Sequence, residues 1–169
     1  MSSEKFLIDS NSLIEPYKRY YPFDITKKFW EQLKKHIESG SIVLLDMVKN
    51  EINQCDDDLS VWLNEVNIKE EIDHRDPIII ENYSKILQYI QSESAYKESA
   101  LRNWAQEHVA DAWLIASAMN NNYKIITFEK PQFRSGNIYK NAKIPDVANI
   151  FNVKTNDLFY LMRTLKIKL

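Results

Sequence analysis

"KFLIDSNSLI", residues 5–14, is the stretch on which the fold turns. The apolar run Phe6-Leu7-Ile8 halts at Asp9, three small polar residues follow (Ser10, Asn11, Ser12), and the chain turns apolar again at Leu13-Ile14. A short continuous apolar run bounded in this way reads as a strand buried on both faces. The carboxylate at its end then needs a reason, and the rest of the chain supplies one.

Working outward, Asp24 reads as an N-cap, with Ile25, Phe29, Leu33 and Ile37 recurring every four residues and Gly40 as the stop. Ser41–Leu45 ("SIVLL") is a second strand, and Asp46 caps a helix through Met47, Val48, Glu51 and Ile52. Another helix starts at Asp57 and runs through Leu59, Trp62, Leu63 and Val66. Asp76-Pro77 opens a longer one, since Pro at the first helical position gives up an N–H that has no partner there; Ile80, Tyr83, Leu87 and Ile90 follow at helical spacing. Residues 95–106 and 108–120 read as two more helices, "KIITF" (124–128) as a third strand, Lys143-Ile144 before Pro145 as a short fourth, and Thr155 as the cap of a last helix. Strands alternating with amphipathic helices predict a three-layer α/β/α fold with a mostly parallel central sheet and a helical insert at about 56–106. In such sheets ligands bind beyond the carboxyl ends of the strands. Asp9 ends the first strand, so its carboxylate is expected in that crevice.

The chain's 169 residues suit one domain, 1–169, with a core able to stand alone. No apolar run reaches the ~20 residues of a membrane helix, and Met1–Lys5 carries no signal-peptide pattern. Cys55 is the single cysteine, which excludes an internal disulfide and makes the cytoplasm the default compartment. One cysteine and three scattered histidines (His36, His74, His108) give no zinc spacing. The net charge of −2 neither demands nor forbids a nucleic-acid partner. The mixed run Lys69–Asp76 reads as a solvated connection.

Four acids occupy comparable places: Asp9 after strand one, Glu51 in "VKNEI", Asp111 at the start of "DAWLIASA", and Glu129 in "ITFEK". Singly, each has an ordinary reading: a turn residue, a solvated helix residue, a helix cap and a loop acid. Jointly, parallel adjacent strands bring all four to one edge of the sheet. There each like-charge pair ~4 Å apart costs about 4 kcal/mol at an effective dielectric of ~20. A hard dication, Mg2+ or Mn2+, offsets that most simply.

With these motifs in this order, the sequence resembles the PIN-domain family of metal-dependent ribonucleases, which includes VapC-type toxins. "FLIDSNSLI" is similar to the family's first strand, whose Asp is followed two residues later by Asn or Ser. "VKNEI" resembles the second-acid helix, "DAWLIASA" the third-acid helix, "IITFE" the strand before the fourth acidic position, and "KIPDV" the segment near the C-terminus. Two departures, a Glu at 129 where Asp is usual and a long insert between Glu51 and Asp111, point to a branch of unassigned function.

The resemblance implies endonucleolytic cleavage of RNA with one or two Mg2+ or Mn2+ ions, leaving a 3′-hydroxyl and a 5′-phosphate. The implied metal ligands are Asp9, Glu51, Asp111 and Glu129. Asn11 is implied to orient a water or the scissile phosphate, Ser10 to do so more weakly, and Thr127 to steady a carboxylate. Phosphate contacts are expected from Lys49, Lys130, Arg134 and Lys140 by their nearness in sequence to the acids. The basic residues at 27, 28, 34 and 35 read as a solvated helix face, and the aromatics of the insert (Trp62, Tyr83, Tyr89, Tyr96, Trp104) as mostly core. The family also implies an antitoxin partner, and a homodimer is a further expectation. The competing readings are a PIN-like module that binds RNA or protein without cleaving, and a nuclease acting on DNA.

Overall fold

The computed structural model describes residues 4–169. Met1–Ser3, the first part of the stretch read above for a signal-peptide pattern, lie outside the described residues. Five parallel strands form the centre: β1 (Phe6–Ile8), β2 (Ile42–Leu45), β3 (Glu71–Ile72), β4 (Lys124–Ile126) and β5 (Thr155–Asn156), in the order β3-β2-β1-β4-β5. Phe6 pairs with Ile42 on one side and Lys124 on the other, so β1 is central. Every side chain of β1 and β2 is fully buried, which requires helices on both faces of the sheet. The architecture is therefore α/β, with a parallel sheet between helical layers.

The helices are α1 (Asn11–Glu15), α2 (Lys27–Ser39), α3 (Asp46–Gln54), α4 (Asp58–Asn64), α5 (Pro77–Ser92), α6 (Glu98–Trp104), α7 (Asp111–Asn121), α8 (Ile144–Ile150) and α9 (Leu158–Leu165). A π-helical turn, Pro16–Tyr20, continues α1. Gly40 ends α2 at φ 83°, where a side chain would be strained and a Cβ would also meet Glu70 Oε1 at 3.1 Å. Asp57 caps α4 in a reciprocal box with Ser60, and Asp76 caps α5 by accepting from the Ile78 N–H. Among the described residues no helix is long and apolar enough to cross a membrane.

Several expectations need correction. Helix α2 starts at Lys27 rather than after Asp24; Ile25 lies outside it and is 75% exposed, because Thr26 folds back to bond the Pro22 carbonyl. Lys69–Asp76 is not simply a connection, since Glu71-Ile72 pairs with Leu44-Leu45 and extends the sheet. The segment 56–106 therefore supplies a strand as well as helices. The buried face of α5 runs through Ile79, Asn82, Ile86 and Ile90, and Ile80 is exposed. Lys143-Ile144 is no strand: Ile144 and Pro145 begin α8. The fifth strand is Thr155-Asn156, and the cap of α9 is Asp157, whose carboxylate accepts from the Tyr160 N–H. The insert's Tyr96 and Trp104 are buried, while Trp62, Tyr83 and Tyr89 are partly buried against the core.

Candidate functional site

The strand order reverses at β1. The chain leaves β1 toward β2 and β3 on one side, then returns to lay β4 and β5 on the other. In open parallel sheets the loops leaving the carboxyl ends of the two strands at such a point diverge, and ligands bind in the crevice between them. Asp9 follows β1 there, still tied to β4 by its N–H on the Ile126 carbonyl at 2.9 Å. Thr127, Phe128 and Glu129 follow β4.

Asp9 is 4% exposed. Thr127 Oγ1 donates to its Oδ2 at 2.9 Å, and Ser10 Oγ lies 3.5 Å from its Oδ1. The Thr127 hydroxyl also accepts from the Glu129 N–H at 3.1 Å, so one buried side chain fixes both the carboxylate of β1 and the loop after β4. Ser12 turns inward onto the Ile126 carbonyl at 3.1 Å, while Asn11, the first residue of α1, is exposed at the crevice end of β1. Burial raises the Asp9 carboxyl to about 6; the Thr127 hydrogen bond opposes this, and the charges of Glu129 and Glu51 add to it.

Asp111 opens α7, whose small-residue face (Ala112, Leu114, Ile115, Ala116, Ser117, Ala118) docks it deeply. A helix N-terminus favours a carboxylate. Burial nevertheless pushes Asp111 up to about 7, followed by the charges of Asp9, Glu129 and Glu51, with Lys143 acting the other way. Glu51 sits part-buried on α3. Glu51 and Glu129 thus lie close enough to Asp9 and Asp111 for their charges to raise both carboxyls. The four sequence-predicted acids are not a closed ligand cage, since no three of them bring carboxylate oxygens within 4.8 Å of one another.

Glu129 is engaged elsewhere. Its Oε2 accepts from the Ile144 N–H at 2.7 Å, satisfying the first turn of α8, and its Oε1 receives Lys143 Nζ at 3.2 Å. Lys143 escaped the sequence reading because it stands fourteen positions from Glu129, across a long loop. Lys49 is drawn off to Glu71 at 3.0 Å, whereas Lys130, Arg134 and Lys140 are exposed on the loop beyond Glu129.

A second group lies farther along the same edge, where β2 and β3 end. Asp46, Asp73 and His74 bring ligand atoms within 4.8 Å of one another, although the spacing of the histidines gave no such signal. Asp46 and His74 are 28 positions apart, and sheet pairing alone unites them. Their groups already have partners: His74 Nδ1 is 2.7 Å from Asp46 Oδ2, and Arg75 grips Asp73 through Nε and Nη2 at 3.0 and 3.1 Å. Arg75 holds the Asp73 carboxyl down at about 2. A cation there must displace these contacts, which makes the Asp9–Asp111 crevice the stronger candidate.

No curated protein matches the chain. A family profile covers residues 6–169, nearly the whole sequence. The chain belongs to the family described as Domain of unknown function (DUF4411).

Proposed function

We propose that this chain is a Mg2+- or Mn2+-dependent endoribonuclease of the PIN-like type, acting at the crevice between β1 and β4. The observation that carries the reading is the gathering of like charge. Burial raises Asp9 to about 6 and Asp111 to about 7, with the charges of Glu129 and Glu51 adding to both and that of Asp9 adding to Asp111. Such a group destabilises the folded chain near neutral pH, a cost that clusters at functional sites. The donor set fits a hard cation, being carboxylate oxygen throughout. Among the described residues, Glu51 and Asp111 make no side-chain hydrogen bond, and no buried side-chain oxygen lacks a partner, so their oxygens reach solvent.

When bound, a dication supplies Lewis-acid polarisation and acidifies a water. Asp9, Glu51 and Asp111 would hold it. Thr127 keeps Asp9 in one orientation, Asp9 and Asp111 release their protons as the ligand set forms, and Asn11 offers an exposed amide to the phosphate. Glu129 serves mainly to join the β4 loop to α8 and to position Lys143. Lys130, Arg134 and Lys140 are available to RNA phosphates. A toxin role, an antitoxin over the crevice, a homodimer and a cytoplasmic setting rest on the family resemblance and belong to the same proposal.

A second reading is favoured by Glu129, whose two oxygens are both occupied: a PIN-like module that binds without cleaving. The test is a panel of RNA, single-stranded DNA and duplex DNA, incubated with the parent protein and Asp111→Asn, in Mn2+ and in chelator. RNA cleavage that requires both Mn2+ and Asp111 is expected. Cleavage of DNA alone redirects the activity. No cleavage by folded, metal-loaded protein selects the binding module.

A further inference from the structure

Tyr20 occupies a position that helical spacing would bury. Leu13, Pro16 and Tyr17 face the core from α1 and the turn after it, and a residue seven after Leu13 continues that face in an unbroken α-helix. The π-helical turn Pro16–Tyr20 adds a residue to the repeat and closes with the Tyr21 N–H on the Pro16 carbonyl. The phase is reset, and Tyr20 is left 58% exposed. Turns of this kind concentrate at functional sites.

The ring is not loose. Its centroid lies 6.5 Å from that of Phe128, with planes 28° apart. Phe128 stands between Thr127, which holds Asp9, and Glu129. An exposed aromatic face is thus anchored one residue from the side chain that fixes the central acid. Lys130, two residues beyond Phe128, is exposed and forms no ion pair among the described residues. Aromatic faces with a neighbouring cation are how proteins hold single-stranded bases, because every base has a π-face and every phosphate a charge.

We propose that Tyr20, backed by Phe128, is a stacking platform for one nucleobase of a single-stranded RNA, setting the strand so that its phosphate enters the Asp9–Asp111 crevice. The choice of RNA rests on the function proposed above; the platform itself rests on the exposed, anchored ring. It accounts for a large apolar side chain held in water by an irregular helix, which packing alone does not.

The test measures binding in chelator, where no cleavage occurs, with a fluorescent single-stranded RNA oligomer. Tyr20→Ala should weaken binding about ten-fold or more, and Tyr20→Trp should restore it. Tyr20 is exposed, so Tyr20→Ala should melt with the parent, and a thermal scan checks this. An oligomer with abasic positions should bind parent and Tyr20→Ala alike. Equal affinity of parent and Tyr20→Ala for the intact oligomer overturns the platform, as does equal affinity of the parent for intact and abasic oligomers. Either result leaves the nuclease reading in place if Mn2+-dependent cleavage is seen. Conversely, base-dependent binding through Tyr20 without cleavage keeps the platform and removes the nuclease.

Discussion

Asp111 shows how a single carboxyl sets the balance between stability and chemistry. Its ordinary value of 3.8 rises to about 7, and that of Asp9 to about 6, so the folded chain holds these protons more tightly than the unfolded chain does. The sign follows from linkage. The stability these carboxyls contribute is fully present below their unfolded values and is lost as pH rises through about 6 and then about 7. Through these two carboxyls the metal-free protein should melt higher at pH 5 than at pH 8. Asp111→Asn should flatten that slope and melt above the parent at pH 8. At about 1.4 kcal/mol per unit, discounted for partial exposure, the gain is on the order of 2 kcal/mol, or roughly 4–8 °C for a chain of this size. A thermal scan across pH in chelator reads it directly, and a variant that melts below the parent at pH 8 would remove the electrostatic account. The positions of Asp9, Glu51, Asp111 and Glu129 were legible because each stands at a fixed place in a strand–helix unit. The partners that tune them were not. Lys143, and the joining of Asp46 to His74, depend on contacts through space that no spacing rule encodes.

The elements divide by how strongly their pattern repeats. Strands β1 and β2 are continuous apolar runs and β4 carries the apolar pair Ile125-Ile126, so all three could be read directly; β3 and β5 are two-residue strands built of Glu71-Ile72 and Thr155-Asn156, polar enough to pass for connections. Pairing to an already formed neighbour makes them strands, and this tertiary cause leaves little local trace. Helix α5 shows a different failure. Its Ile78-Ile79-Ile80 run fits more than one helical stripe, and the choice is made by α7, onto which Asn82 Nδ2 donates at the Ala116 carbonyl, 3.2 Å away. The same contact carries a ring stack, Tyr83 on Trp113, with centroids 3.7 Å apart and planes 8° from parallel. Because α7 begins at Asp111, this stack steadies the helix that presents the acid. A double-mutant cycle with Tyr83→Leu and Trp113→Leu should return a coupling of about 1 kcal/mol in urea unfolding. A coupling near zero would mean that the two rings contribute buried area alone and that α5 does not brace α7 through them.

At the scale of the whole chain, a core that closes on both faces of the sheet leaves acids concentrated along one edge. Asp9 and Asp111 lie in the crevice, and Asp46 and Asp73 lie farther along. Under the proposed metal-dependent reading, two groups along this edge are the candidates for the cation. They differ in what the cation displaces. In the crevice it meets Asp111 and Glu51 without protein donors and takes the place of protons; at the second group it must break the His74–Asp46 contact and the Arg75–Asp73 fork. Mn2+ should therefore raise the melting temperature through the crevice, with a gain of about 2.7 kcal/mol at a hundred-fold excess over its dissociation constant. Because protons leave Asp9 and Asp111 as the ion enters, the gain should be small at pH 5 and grow toward pH 8. Asp9→Asn with Asp111→Asn should abolish it, and His74→Ala should leave it intact. The reverse pattern, loss in His74→Ala alone, would move the ion to the carboxyl ends of β2 and β3. The raised carboxyls of the crevice would then be a cost of folding that this cation does not offset.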